Sequence, residues 1–256
     1  DALVALLERY GTMTLGEVLA PSIHYAEHGF PFYEDLIQRL DRPGTREQFA
    51  QYPPGGTPVF FPNGRLPHAG TMLVQTALGN TLKRMVAAEN AAPGQRLAGV
   101  RAARDAFYTG DIARTIVEGV QRVGGILTRE DLAGYRAKFE EPVKTTFMGH
   151  EILGQSTWTQ GPVLMQALNV LERFDLKGMG HNSPAYIHTV AEALKYSLAD
   201  RQAYYGDPDF ATVPIDGLLS RQYAAERARA IDASRAHPEL PPPGDPWRHS
   251  TAVGAP

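Results

Sequence analysis

A chain of 256 residues, 43% hydrophobic and 21% charged, has the balance of a globular protein with room for one large domain or two small ones. A net charge of −3, with no local run of Lys and Arg, excludes a general field for nucleic acid, and apolar stretches of only a few residues exclude a bilayer span. There is no cysteine, so disulfides and thiolate chemistry are excluded and a metal site would have to use His, Asp and Glu.

"DALVALLERYG" reads as the end of an amphipathic helix with Gly11 at its C-terminus. The pattern is helical from the first residues, which leaves open an upstream segment with a leader. "TLGEVLAPSIHYAEHGFP" predicts a second helix, with Thr14 as N-cap, Glu17 three residues on, and Gly29 as its end. Pro21 is expected to kink or split it. Residues 32–49 read as helical and charged. The following stretch, "QYPPGGTPVFFPNGRLPHAG", is too rich in proline and glycine for regular structure, and is either a covering flap or a connection pinned elsewhere. Two further helical stretches follow, "TALGNTLKRMVAAEN" and "GVRAARDAFYTGDIARTIVEGVQRVGG", the second punctuated by Gly110.

The texture then changes. "EPVKTTFMGHEILG" alternates about Met148-Gly149-His150 and predicts two antiparallel strands joined by a tight turn. After "STWTQGP", the segment "VLMQALNVLERFDL" starts a buried helix at Pro162. Ser183 and Pro184 open a long helix that the Asp207-Pro208 pair is expected to stop, and "SRQYAAERARAI" is the last helix. The tail from 237 to 256 is Pro-rich and reads as an exposed linker. The expectation is a single, mostly helical domain over 1–236 with a small amount of sheet.

Single motifs do not name a catalyst. His24-Tyr25-Ala26-Glu27-His28 has the spacing of an inverted zinc-protease signature. It needs a third ligand, for which Glu89 and Glu118 are available without a distinctive motif. Histidines near a helix C-terminus are explained by the dipole there, and that reading is preferred. His188 and Glu192 share a helix face and read as an ordinary surface pair beside His181. Asp207 and Asp209 could hold a cation, but a turn explains them more simply.

The order of the segments is more specific than any one of them. "LLERYGTMTLGEVLAPSIHYAEHGFPF" resembles a stretch of the large subunit of gamma-glutamyltranspeptidases, with its Tyr-Gly, Ala-Pro and Ala-Glu-x-Gly-Phe. "FYTGDIARTIVEGVQRVGGILTREDLAGYRAKFEEPV" is similar to that family's next block, and "MQALNVLERFDL" and "HTVAEALKYSLADRQAYYGDPDF" to the two helices after it. The resemblance implies an N-terminal nucleophile hydrolase of α+β class, a four-layer αββα sandwich completed by a small subunit. In such enzymes the precursor cuts itself, the new N-terminal Thr of the small subunit is the nucleophile, and its own amine is the base. The implied substrate is a small-molecule gamma-glutamyl or related amide, with no metal and no cofactor. A periplasmic or extracellular location is slightly favoured by the resemblance, with the cytoplasm open.

Two departures bear on function. No Thr-Thr-His-like motif is present, Thr251 lies in the tail without matching context, and the family's carboxylate-binding Arg falls upstream of Asp1. No catalytic residue is therefore expected in this chain, and the tail is expected to lead towards the processing site. Where transpeptidases carry a Pro-Pro-Ser-Ser-Gly-like loop, this chain has Ser156-Thr157-Trp158-Thr159-Gln160-Gly161-Pro162. That version resembles relatives acting on other amides, oxamate amidohydrolase among them. Trp158 and Gln160 are the candidate substrate-lining residues, the helix N-terminus behind them could face an anion, and the competing reading has Trp158 filling the core. The alternatives are a non-glutamyl amidase, for oxamate or a beta-lactam side chain, or a helical scaffold that has lost catalysis.

Overall fold

A computed structural model describes residues 1–52 and 55–252. The chain divides into two compact units, Asp1–Phe139 and Glu140–Pro256. It is mostly helical, and among the described residues the strands form two antiparallel two-stranded sheets.

The first unit contains α1 (Ala2–Tyr10), α2 (Leu15–His28), β1 (Phe30–Pro31), α3 (Glu34–Leu40), α4 (Thr45–Gln51) and α5 (Thr57–Phe60). A 3-10 turn (Pro62–Gly64), β2 (Met72–Leu73), α6 (Thr76–Ala91), α7 (Arg96–Tyr108), α8 (Asp111–Arg122) and α9 (Arg129–Gly134) complete it. The capping box of α2 is formed as expected: the Thr14 hydroxyl accepts the Glu17 N–H at 3.2 Å, and the Glu17 carboxylate accepts the Thr14 N–H at 2.7 Å. Pro21 does not split the helix, which runs through it as one element to Gly29. There φ is +81°, and the Gly29 N–H closes on the Tyr25 carbonyl at 2.9 Å.

Two further N–H groups at the start of α2 are satisfied from a distance. Glu89 of α6, 7% exposed, accepts from Leu15 and Gly16 at 2.7 Å each. A carboxylate on a helix N-terminus is favoured by both hydrogen bonding and the dipole. Gly99 of α7 is what lets this carboxylate sit there, because a Cβ at 99 would lie 2.9 Å from Glu89 Cγ. Glu89→Ala would leave both amides without an acceptor. It is expected to lower the stability of the unit by roughly 2–4 kcal/mol, read as a shift of the urea midpoint, since hydrogen bonds to charged groups are worth about 1.5–3 kcal/mol each and do not add fully.

The Pro/Gly-rich connection is pinned and is not a flap. Phe61 is 3% exposed and shares a core with Phe32, Leu40 and Leu73, ringed by Phe30, Leu36, Phe49 and Phe60. The aromatic residues within the connection supply the burial that its backbone composition hides. Pro53 and Pro54 of this segment lie outside the described residues.

The second unit opens with the expected hairpin, β3 (Val143–Phe147) and β4 (His150–Gly154), in register Val143↔Gly154 to Phe147↔His150. Met148 (φ +49°) and Gly149 (φ +83°) form a two-residue turn with both centres left-handed, which matches the twist of the strands. Then come α10 (Gly161–Leu171), α11 (Leu176–Met179), α12 (Pro184–Tyr204), α13 (Ile215–Leu218), α14 (Arg221–Arg229) and a 3-10 turn (Pro246–His249). Ser183 caps α12 by accepting the Tyr186 N–H at 3.1 Å. The helix ends at Tyr204, before the Asp-Pro pair, because Tyr205 turns extended and sends its hydroxyl to Gln166. Val170, Leu171, Ala193, Ala224 and Ala228 form the core. Asn169 ties the hairpin to it, accepting from the Thr145 hydroxyl at 2.6 Å and donating to the Leu219 carbonyl at 3.0 Å.

The tail corrects an expectation. It is laid against its own unit and is not an exposed linker, with Pro241 and Pro246 buried. Arg227 donates to the Pro242 carbonyl at 3.1 Å, the Gly244 N–H donates to Asp200 at 3.0 Å, and the Tyr204 hydroxyl donates to the Gly244 carbonyl at 2.6 Å. Glu192 is fully buried, not on the surface, and accepts from Lys195 at 2.8 Å and from the His237 N–H at 3.3 Å. A segment rich in proline has few N–H groups to satisfy, so a handful of polar side chains suffices to dock it. Residues 253–256 lie outside the described residues.

Candidate functional site

The turn at 156–161 and the end of α12 enclose an open cleft of about 810 Å³ in the second unit. Trp158 and Gln160 both line it, together with Arg201, Gln202 and Tyr205. The turn is rigid for a local reason: the Thr159 hydroxyl donates to the Ser156 carbonyl at 3.0 Å and accepts the Gly161 N–H at 3.1 Å. The Thr157 hydroxyl, on a residue only 4% exposed, donates to the Gly206 carbonyl at 3.0 Å and fixes the opposite wall.

The buried member of this turn is therefore Thr157. Trp158 is 52% exposed, so its core-filling role is not what the fold uses. Its indole N–H donates to Glu140 at 2.9 Å, which holds the ring at the rim with the apolar surface open. Gln160 stands exposed at the N-cap of α10 and makes no capping bond. The helix N-terminus itself is not an anion site. The Gly161 N–H is taken by Thr159, Pro162 has none, and the Val163 N–H goes to the Gln160 carbonyl at 3.1 Å.

Sequence reasoning missed Arg201, which is half-buried in the wall with no hydrogen bond or ion pair to its guanidinium among the described residues. The signal was its spacing from Tyr205, one helical turn on. Behind the wall, the Tyr205 hydroxyl donates to Gln166 at 2.6 Å, and the Gln166 amide donates to Asp200 at 3.1 Å. Burial pushes the Tyr205 hydroxyl far above its usual range, so it stays a donor. The cleft thus presents an aromatic face, an amide and a cation, which are groups that bind and orient. Its hydroxyls belong to Thr157 and Thr159, committed to backbone carbonyls, and to Tyr205, committed to Gln166, while the carboxylate in its lining, Asp207, accepts the Asp209 N–H of its own turn.

The other candidates are accounted for elsewhere. His24 and His28 are exposed and stacked on each other, with centroids 4.4 Å apart. His28 Nδ1 is 3.0 Å from the His24 carbonyl, and the Glu27 carboxylate pairs with Lys83. Glu89 spends both oxygens on α2, Glu118 faces Arg114, and no cluster of three metal-ligating groups occurs among the described residues. His188 contacts the Asp232 carbonyl at 2.8 Å. Asp207 accepts the Asp209 N–H at 3.0 Å, which is the turn geometry expected of it.

A family model described as gamma-glutamyltranspeptidase matches residues 1–254. The chain is 34% identical over 233 residues to a glutathione hydrolase proenzyme of Escherichia coli, covering 91% of this chain and 37% of that protein. The structure of Helicobacter pylori gamma-glutamyltranspeptidase aligns with a TM-score of 0.81 at 31% identity, over 94% of this chain and 65% of that one. A cephalosporin acylase from Bacillus halodurans aligns with the same TM-score at 29% identity, over 96% of this chain and 43% of that one. The chain spans less than half the length of the Escherichia coli relative.

Proposed function

The chain belongs to the gamma-glutamyltranspeptidase family, and from that premise we propose that it is the large-subunit portion of a self-cleaving amidohydrolase or acyltransferase. Its substrate is a gamma-glutamyl or related small-molecule amide. The nucleophile is the N-terminal Thr of a small subunit, which completes the four-layer αββα sandwich. The Thr hydroxyl adds to the amide carbonyl, its own amine takes the proton and passes it to the amide nitrogen, and the C–N bond breaks to release the amine. Water or an acceptor amine then releases the acyl group from the Thr ester. The observation that supports this reading is a cleft whose residues can bind and orient an amide while its two Thr hydroxyls are committed to backbone carbonyls.

A second reading within the family, a non-glutamyl amidase, is favoured by the loop at 156–162, where Trp158 stands exposed. Hydrolysis of gamma-glutamyl p-nitroanilide, compared with oxamate and a beta-lactam side-chain amide, chooses between the two, and activity toward none of them supports the scaffold reading. Trp158→Ala and Gln160→Ala are expected to raise KM by about 5–30-fold with a smaller change in kcat, because one lost apolar or amide contact is worth roughly 1–2 kcal/mol of uniform binding. Unchanged KM in both variants would remove these two residues from the site.

A further inference from the structure

Beyond Gly244 the tail is held again, at Ser250 and Thr251, by a group that takes no part in the cleft. Asp216, in the first turn of α13, accepts from the Ser250 hydroxyl, from the Thr251 N–H at 2.7 Å and from the Thr251 hydroxyl at 2.6 Å. Its own turn is fixed by the Gly217 N–H, 2.9 Å from Oδ1. Just before this clasp the tail touches α13 backbone to backbone. A Cβ at Gly217 would lie 2.1 Å from the Pro246 carbonyl oxygen, so only glycine fits. One clasp further back, Gly244 lies so close to the Tyr223 ring that a Cβ there would be 2.3 Å from the hydroxyl. The tail therefore follows a track with two glycine-limited contacts and an anionic clasp at its far end. Burial works against the Asp216 charge, but the hydrogen bonds from Ser250, Thr251 and Gly217 outweigh it and hold the carboxyl well below the usual carboxylate range.

We propose that Asp216 is a positioning residue for self-cleavage: its clasp on Ser250 and Thr251 fixes where and in which direction the chain leaves the second unit towards the processing junction. The inference rests on the proposed self-cleaving enzyme. In that reaction the junction Thr hydroxyl adds to the carbonyl carbon of the residue before it. The C–N bond breaks, the amine takes the hydroxyl proton, and water then cleaves the ester to leave a free carboxylate. Such an attack needs the hydroxyl and the carbonyl in one geometry, and a small misplacement costs rate steeply. Three charge-assisted hydrogen bonds on two consecutive residues restrict the upstream side of that geometry.

The test follows the proenzyme carrying this chain through processing, by intact mass against time. Asp216→Ala is expected to slow cleavage by about tenfold or more, and Asp216→Asn, which keeps an acceptor, by less. The processed fraction that does form is expected to keep wild-type kcat. If Asp216→Ala lowers the urea midpoint, the Ser250→Ala/Thr251→Val pair removes the two hydroxyls with Asp216 in place, and is expected to slow cleavage too. Adding Asp216→Ala to that pair is expected to slow it by less than the product of the two separate effects, since both changes break one contact. Wild-type rates in Asp216→Ala and in the Ser250/Thr251 pair overturn the clasp while leaving the enzyme reading intact. A wild-type proenzyme that never cleaves overturns both.

Discussion

Arg227→Ala is expected to destabilise the second unit by roughly 3–5 kcal/mol, the cost typical of leaving one partner of a buried ion pair alone. Asp200 is fully buried and Arg227 is 8% exposed, with Nη2 and Oδ1 3.1 Å apart. The guanidinium also lies 4.5 Å from the Tyr196 ring centroid and bonds the Pro242 carbonyl, so its loss unfastens the tail as well. Burial already pushes the Asp200 carboxyl above its ordinary 3.8, with Arg227 the largest opposing influence. Without Arg227 the folded value rises further. The folded state then binds more protons than the unfolded state at pH values above 3.8, so stability falls as pH rises through that window. The variant is therefore expected to be more stable near pH 4.5 than at pH 7. Replacing both partners, Asp200→Asn with Arg227→Met, is expected to recover much of the loss. The buried Arg227 Nε has no hydrogen-bond partner among the described residues, so the native pair is not ideally satisfied either. Urea titrations at the two pH values check both the size and the sign.

The second large effect is catalytic. This chain purified alone is expected to show no hydrolysis of gamma-glutamyl p-nitroanilide, whereas the processed two-chain protein is expected to turn it over. The difference should be many orders of magnitude, since an enzyme without its nucleophile retains little beyond binding and orientation. Within the cleft, the Thr157 and Thr159 hydroxyls donate to the Gly206 and Ser156 carbonyls and are held away from the role of nucleophile. Activity from this chain alone would place the chemistry on residues to which the structure gives no such role.

What could be read from the sequence follows the reach of each interaction. The Thr14–Glu17 box and the Met148-Gly149 turn are complete within a few residues, and both formed as expected. Glu89 as the cap of a helix 74 residues away was not legible, because nothing in "AAEN" distinguishes a surface glutamate from a buried acceptor. The tail failed for a related reason. Proline content argues against regular structure, but whether such a segment floats or docks is decided by Glu192, Asp200, Asp216 and Arg227, all distant in sequence. At the cleft, the competing reading gave the burial within the loop to the larger apolar residue, whereas the fold buries Thr157 in place of Trp158. Arg201 passed unnoticed because a lone arginine on a helix is usually a solvated residue.

The most direct test of the account is intact-mass and N-terminal analysis of the purified protein that carries this chain, followed by the gamma-glutamyl p-nitroanilide assay on the same sample. The account predicts two chains, one ending beyond the clasped tail and the other starting with Thr, with activity rising in step with cleavage. A single uncleaved chain that is nevertheless active, or a second chain that starts with another residue, would contradict it.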